Sequence, residues 1–326
     1  IRDSPWVSRN LLVSHAVGVG EFLPPEVVRA AMLIRANSLA LGYSGVRPEL
    51  VNTLVRMLNA DVCPAIPEYG SLGASGDLAP LSHLGLVLSK RPDDEPLADT
   101  PEDYRNESGQ AYVALSAEEA AELPAVLQAN GKRYALLNGD TALKMRGIAR
   151  LALTAKEGLA INNGTTFSTA LAVLALYDAE NLLRHAEIAA AMSLEALLGF
   201  GDAFLPQIQQ ARGHLGQQEV AARILQLVAG STLMDGDAHT DPRFVPPQDA
   251  YSLRVTPQVL GAIWDALRFL RTTITTEINA ATDNPMIFNL PEGDPLHLPR
   301  PYKAVSGGNF HGAPIAYAMD FLSILV

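Results

Sequence analysis

The chain has 326 residues, of which 48% are hydrophobic and 18% charged, so it can bury a substantial core as one large domain or two ordinary ones, and general disorder is excluded. A formal net charge of −11 argues against nucleic acid or an anionic membrane as the main partner, since both require concentrated positive charge, and leaves a small molecule as the natural ligand. The single cysteine, Cys63, has neither a disulfide partner nor metal-ligand spacing and is expected to be a buried structural thiol.

The start, Ile1-Arg2-Asp3-Ser4-Pro5, has no initiator Met and no charged-then-apolar signal pattern, and no uncharged apolar run reaches ~18 residues. A cytoplasmic chain without a membrane span is expected. Leu12 to Gly20 is a short helical pattern that breaks into a Gly-rich turn and carries Ser14 and His15; alone, such a histidine reads as structural. Pro24-Pro25-Glu26 starts a helix with Val27, Ala31, Ile34 and Leu39 on its apolar face, which Gly42 stops. A second helix is predicted over 47 to 59, from Leu50, Leu54, Val55 and Leu58, and Cys63 to Pro67 is an extended connector.

A helix is predicted over 77 to 89. Residues 90 to 112 are charged and turn-rich and read as a solvated surface insertion, and the region 90 to 135 reads as a variable surface insertion. Segments 117 to 130 and 141 to 160 read as helical. Thr165 to Leu198 is the longest regular pattern, about 50 Å of helix, and its apolar positions cover most of its circumference, so it belongs among other helices. Another long helix runs from Thr256 to Ala281, with Val259, Ile263, Leu267, Leu270, Ile274 and Ile278 as its stripe. No convincing strand alternation is visible. The fold class expected is all-α, a bundle of long helices with chemistry on the loops at their ends.

One loop stands apart. Gly70-Ser71-Leu72-Gly73-Ala74-Ser75-Gly76-Asp77 places three glycines at a spacing of three, then Asp77, then the predicted helix, so the backbone bends sharply just before that helix. Alone, the stretch is a Gly-rich turn capped by Asp77, and its glycines match neither phosphate-binding pattern. Within it, the Gly76 amide nitrogen can approach the Ala74 carbonyl in a tight bend. Loss of water from Ser75 then leaves an exocyclic methylidene, an electrophile made from backbone at the positive end of a helix.

Gly-Ser-Leu-Gly-Ala-Ser-Gly-Asp-Leu-Ala-Pro-Leu-Ser-His at 70 to 83 resembles the signature of the histidine, phenylalanine and tyrosine ammonia-lyases and the related aminomutases. In that family Ala-Ser-Gly cyclises to methylidene-imidazolone (MIO), which the resemblance assigns to Ala74, Ser75 and Gly76, with no diffusible cofactor and no metal. The resemblance also implies a fumarase/aspartase-like fold, an aromatic amino acid substrate, and a homotetramer with active sites shared between subunits. Asn163, in Asn162-Asn163-Gly164-Thr165, matches the family's Asn that supports the MIO ring and the substrate; by itself Asn-Gly there is turn and cap chemistry. Gln248-Asp249-Ala250-Tyr251-Ser252-Leu253-Arg254 matches a family heptapeptide, in which Arg254 can grip a carboxylate, Tyr251 can relay a proton and Gln248 is a neutral partner. Ser14 and His15 fall where the family contacts the substrate ring, and Phe288, after Asp283-Asn284-Pro285, where a Phe lies by the MIO. Ser306 to Gly312 matches a further segment.

The family's Tyr-Gly loop, whose tyrosine is the β-proton base, and its C-terminal helices fall outside these 326 residues, so a single ammonia-lyase core lacking both is expected. Histidine ammonia-lyases typically carry Glu after the Asn-Phe-His-x segment, where this chain has Ala313. From that departure, tyrosine or phenylalanine is placed slightly ahead of histidine as substrate, giving a trans-arylacrylate and ammonia. The alternatives are an MIO-dependent aromatic aminomutase and a catalytically inactive helical oligomerisation protein.

Overall fold

Proline sets two helix starts where the sequence places them: Pro25 and Pro48 occupy the first turns of helices Pro25–Ala40 and Pro48–Asn59, where a missing N–H costs nothing. The computed structural model describes residues 4–93, 108–234, 247–289 and 302–326. Its contacts divide the chain into two units, Ile1–Ala172 with Ile274–Tyr317, and Val173–Thr273 with Ala318–Val326.

In the first unit, helices Ser4–His15, Leu78–Leu88 and Glu157–Asn162 pack on one another, with Leu12, Leu81, Leu84 and Ile161 fully buried. The crossing is close because Gly158 has no side chain: a Cβ there would lie 2.3 Å from the Ser8 carbonyl oxygen. The connector at 63 to 67 is extended, as expected, and Cys63 is buried and free.

Strands are nevertheless present, contrary to the sequence expectation. Val62–Pro64, Gln110–Ala114, Lys132–Asn138 and Leu127–Ala129 form, in that order, a four-stranded antiparallel sheet. Ala111, Val113, Tyr134 and Ala135 are buried in it, so strands Gln110–Ala114 and Lys132–Asn138 carry core positions, while 115 to 133 is exposed or partly exposed. Residues 94 to 107 lie outside the described residues. The strands are three to seven residues long, too short to show alternation over the background of small residues. Within 117 to 130 only Glu119–Glu122 is helical, and Asn130-Gly131, at φ 50° and 72°, closes a two-residue hairpin between Ala129 and Lys132. The stretch 141 to 160 is likewise broken, into helices Gly139–Met145 and Glu157–Asn162 around a strand, Leu151–Ala152, that pairs in parallel with Ser89–Lys90.

The two long helices are Thr166–Ala196 and Thr256–Ile278, within a few residues of their predicted ends. In the second unit, Leu194, Phe204, Val220 and Ile224 are fully buried around the helix Leu215–Leu227, and Trp264 packs against them. Gly216 and Gly261 bring two helix backbones together, since a Cβ on Gly216 would fall 2.1 Å from the Gly261 oxygen. Nearby Glu187 is almost fully buried and accepts from Arg223 at 2.6 Å and from the Trp264 indole at 2.5 Å. By length and composition the stretch Glu157–Ala196 is apolar enough to cross a membrane, but 67% of its apolar window is buried inside the protein, which accounts for that composition as core.

Candidate active site

The Ala74-Ser75-Gly76 tripeptide is gripped on its C-terminal side. The Asn163 side-chain Nδ2 donates to the Ser75 carbonyl at 2.8 Å, and the backbone N–H of Asp77 donates to the Gly164 carbonyl at 2.6 Å. Leu78 N–H closes on the Gly76 carbonyl at 2.9 Å as helix Leu78–Leu88 begins. Gly76 has φ 80°, the left-handed region, and a Cβ there would lie 2.7 Å from the Gly164 oxygen and 2.8 Å from its nitrogen. Gly76 is therefore required both by conformation and by space. Ala74 and Ser75 are exposed, while Gly76 and Asp77 are buried, so the serine hydroxymethyl sits on the open side of a tripeptide whose other side is packed.

Asp77 precedes the helix, as expected, but its side chain does not cap it. The fully buried carboxylate accepts instead from Ser168 N–H at 2.9 Å, from Ser168 Oγ at 2.7 Å and from the Ser71 hydroxyl. Ser168 is in the first turn of Thr166–Ala196, so Asp77 satisfies an orphan amide of the long helix and sets a negative charge at its positive end. One carboxylate thus ties the loop to the start of a different helix.

Two more groups bond the backbone and side chains of the Asn163 to Thr165 turn. Arg35, fully buried on Pro25–Ala40, donates to the Asn163 carbonyl at 2.7 Å. Thr165 donates its hydroxyl to Glu277, whose carboxyl is pushed above its ordinary value by burial, against the Thr165 hydrogen bond and with a further push from the Asp77 charge. Neither Arg35 nor Glu277 stands out in the sequence. Both lie on apolar-patterned helices, with no local motif to single them out.

The other expected residues divide between the two units. In the first, Ser14 and His15 bond back onto their own helix: Ser14 Oγ and His15 Nδ1 each meet the Leu11 carbonyl, at 3.0 and 2.9 Å. The turn that follows is pinned by Gly18 N–H on His83 Nε2 at 3.1 Å, and burial lowers the His83 pKa, which keeps that nitrogen an acceptor. Phe288, on strand Met286–Asn289, packs its ring against Tyr43, with centroids 5.6 Å apart. The Ser306 to Gly312 segment reaches the loop, because Gly312 N–H donates to the Gly73 carbonyl at 2.7 Å.

In the second unit, Gln248, Asp249 and Arg254 line a cleft of about 340 Å³ together with Phe200 and Asp202. Arg254 Nε donates to the Asp249 carbonyl at 3.0 Å, and its guanidinium lies 4.3 Å from the centroid of the Tyr251 ring. Asp249 accepts from Phe200 N–H at 2.7 Å, which anchors the loop. Among the described residues the Nη groups of Arg254 have no acceptor, so the edge of the fork that matches a carboxylate is available. Tyr251 is 71% exposed.

These features agree with known proteins. A family model described as aromatic amino acid lyase matches residues 2–326. The histidine ammonia-lyase of Geobacillus sp. is 45% identical over 326 residues, covering 100% of this chain and 54% of that protein. The histidine ammonia-lyase of Bacillus subtilis is 44% identical over 324 residues, covering 99% and 54%. Among solved structures, histidine ammonia-lyase from Trypanosoma cruzi superposes with a TM-score of 0.76 at 34% identity, covering 99% of this chain and 52% of that one. The chain therefore spans about half the length of the curated relatives it matches. The expectation of tyrosine or phenylalanine ahead of histidine is corrected: relatives at 42–45% identity over nearly the whole chain bear the name histidine ammonia-lyase. Ala313, on which that order rested, is one methyl-bearing position at the start of helix Ala313–Leu325 and does not outweigh identity along the entire chain. With a family model matching residues 2–326 and the all-α fumarase/aspartase-like fold in common with these structures, the chain belongs to the aromatic amino acid lyase family.

Proposed function

We propose that the protein eliminates ammonia from L-histidine, using an MIO group made from Ala74, Ser75 and Gly76. The observation that carries the proposal is the double clamp on the tripeptide, Asn163 on the Ser75 carbonyl and the Gly164 carbonyl on the Asp77 N–H, around a Gly76 that no side chain can replace. Ring closure joins Gly76 N to the Ala74 carbonyl carbon, whose oxygen leaves as water, and Ser75 loses its hydroxyl with its α-hydrogen as a second water. The residues fit this group, because they hold the bend on its packed side and leave Ser75 exposed. Once formed, the MIO supplies an electrophile for the substrate amine that makes ammonia a better leaving group.

The remaining work falls to side chains. Arg254, held by Asp249 and stacked on Tyr251, offers its fork to the substrate carboxylate, and Gln248 gives a neutral hydrogen-bonding partner beside it. Tyr251 offers an exposed hydroxyl for proton relay. With Nδ1 engaged on Leu11, His15 keeps Nε2 for the substrate ring. A homotetramer with shared sites is part of the proposal; exposed Tyr177, Leu182, Ile188 and Met192 on the long helix support it as surface that association would cover. A cytoplasmic location is proposed with it, in keeping with one unpaired, buried cysteine.

The test is intact mass together with turnover. Purified protein is expected to lack two waters and to convert L-histidine to a conjugated acrylate and ammonia, with Arg254→Lys raising KM. Retention of both waters, or a β-amino acid as the only product, would overturn the proposal.

A further inference from the structure

Beneath the site lies a cation that the reaction leaves unused. Arg35 is fully buried, and burial lowers its pKa to about 10, opposed by the charges of Asp283 and Asp77, so it stays protonated at neutral pH. Its Nη2 donates to the carbonyls of Asn163, at 2.7 Å, and Ala160. Ala160 is in the last turn of helix Glu157–Asn162, where carbonyls have no partner further along the helix, so the guanidinium closes that C-terminus. Nη1 lies 2.5 Å from where a Cβ on Gly164 would be, which leaves no room for a side chain beside the Gly76 backbone. Among the described residues, Nε and Nη1 have no hydrogen-bond partner. A buried cation with incomplete partners is costly, and an apolar residue of similar volume would fill the space without that cost. Its place is explained by what it holds.

We propose that Arg35 is a positioning residue for the Ala74-Ser75-Gly76 tripeptide: by clamping the carbonyls of Ala160 and Asn163, it fixes the helix exit from which the Asn163 carboxamide reaches the Ser75 carbonyl. The proposal rests on the function proposed above and adds a residue with no contact to the substrate. Both carbonyls are held by the one nitrogen Nη2, whose two N–H directions the planar guanidinium fixes; lysine keeps the charge, but its ammonium rotates freely on a flexible stem and holds the two carbonyls less rigidly.

The experiment compares wild type, Arg35→Lys and Arg9→Lys in the intact protein by circular dichroism, intact mass and steady-state kinetics. Arg9 is the control, a second buried arginine that bonds Leu86 and Ser89 rather than the loop. Folded Arg35→Lys is expected to show about a tenfold fall in the fraction of chains lacking two waters, with kcat falling in step and KM unchanged, while folded Arg9→Lys is fully cyclised; about tenfold corresponds to one hydrogen bond of about 1.4 kcal/mol. Folded Arg35→Lys with full cyclisation and wild-type kcat would overturn the proposal, as would an equal deficit in Arg9→Lys. Should Arg35→Lys not fold, Arg35→Gln is measured in the same way, and failure of both to fold would assign Arg35 to core stability alone. Wild-type chains that retain both waters would refute the proposed function itself, and this proposal with it.

Discussion

Replacing Asp77 tests whether one carboxylate joins the tripeptide loop to the long helix. In Asp77→Asn, the carboxamide oxygen can still accept Ser168 N–H, and the Ser71 and Ser168 hydroxyls can turn to accept from Nδ2. What is lost is charge: the charge assistance in these hydrogen bonds, about 1 kcal/mol, and the interaction with the start of Thr166–Ala196, about 0.3–2 kcal/mol. The sum is about 1–3 kcal/mol. In Asp77→Ala, Ser168 N–H is also left buried without an acceptor, which adds about 1–3 kcal/mol and brings the loss to about 2–6 kcal/mol. Urea unfolding followed by circular dichroism measures both, and intact mass reports cyclisation in the same samples. The ordering wild type, then Asn, then Ala is the expected result. Both variants within about 0.5 kcal/mol of wild type would refute the cap across elements.

Gly76→Ala is expected to destabilise by about 2–5 kcal/mol, from left-handed strain and from contact with the Gly164 backbone, and to retain both waters; a wild-type melting curve with both waters lost would contradict the clamp. The raised pKa of Glu277 means that its folded-state contribution is fully present below the ordinary glutamate value and is lost as pH rises through the raised one. Glu277→Gln therefore gains stability relative to wild type as pH rises from 4.5, and unfolding curves across that range check it; a difference independent of pH would refute it. The Cys63 thiol is pushed up to about 12 by burial, so iodoacetamide at mildly alkaline pH is expected to label it only in denaturant, and stoichiometric labelling of native protein would show the burial to be wrong.

The tripeptide, Asn163 and the Gln248 to Arg254 run stand out in the sequence because each lies in a short local run that resembles a family motif; without that resemblance Asn162-Asn163-Gly164 reads as turn and cap chemistry. Helices Pro25–Ala40, Pro48–Asn59, Thr166–Ala196 and Thr256–Ile278 are legible for a related reason: proline starts and apolar periodicity act within a few turns. The strands are not, with one exception. Asn130-Gly131 is a local hairpin signal, overlooked beneath the helical composition of 117 to 130. The substrate order drawn from Ala313 failed because a single position was weighed against the whole chain.

What the tertiary structure alone decided is who supports the loop. Asn163 lies 88 residues from Ser75, Ser168 lies 91 from Asp77, and Arg35 lies 128 from Asn163. Local sequence determined where the backbone bends and which atoms can cyclise, since bending and nucleophile placement depend on neighbouring residues. Satisfying buried carbonyls, amides and charges depends on groups brought together by packing, and a carboxylate that resembles a helix cap in sequence becomes the cap of whichever helix the fold presents to it.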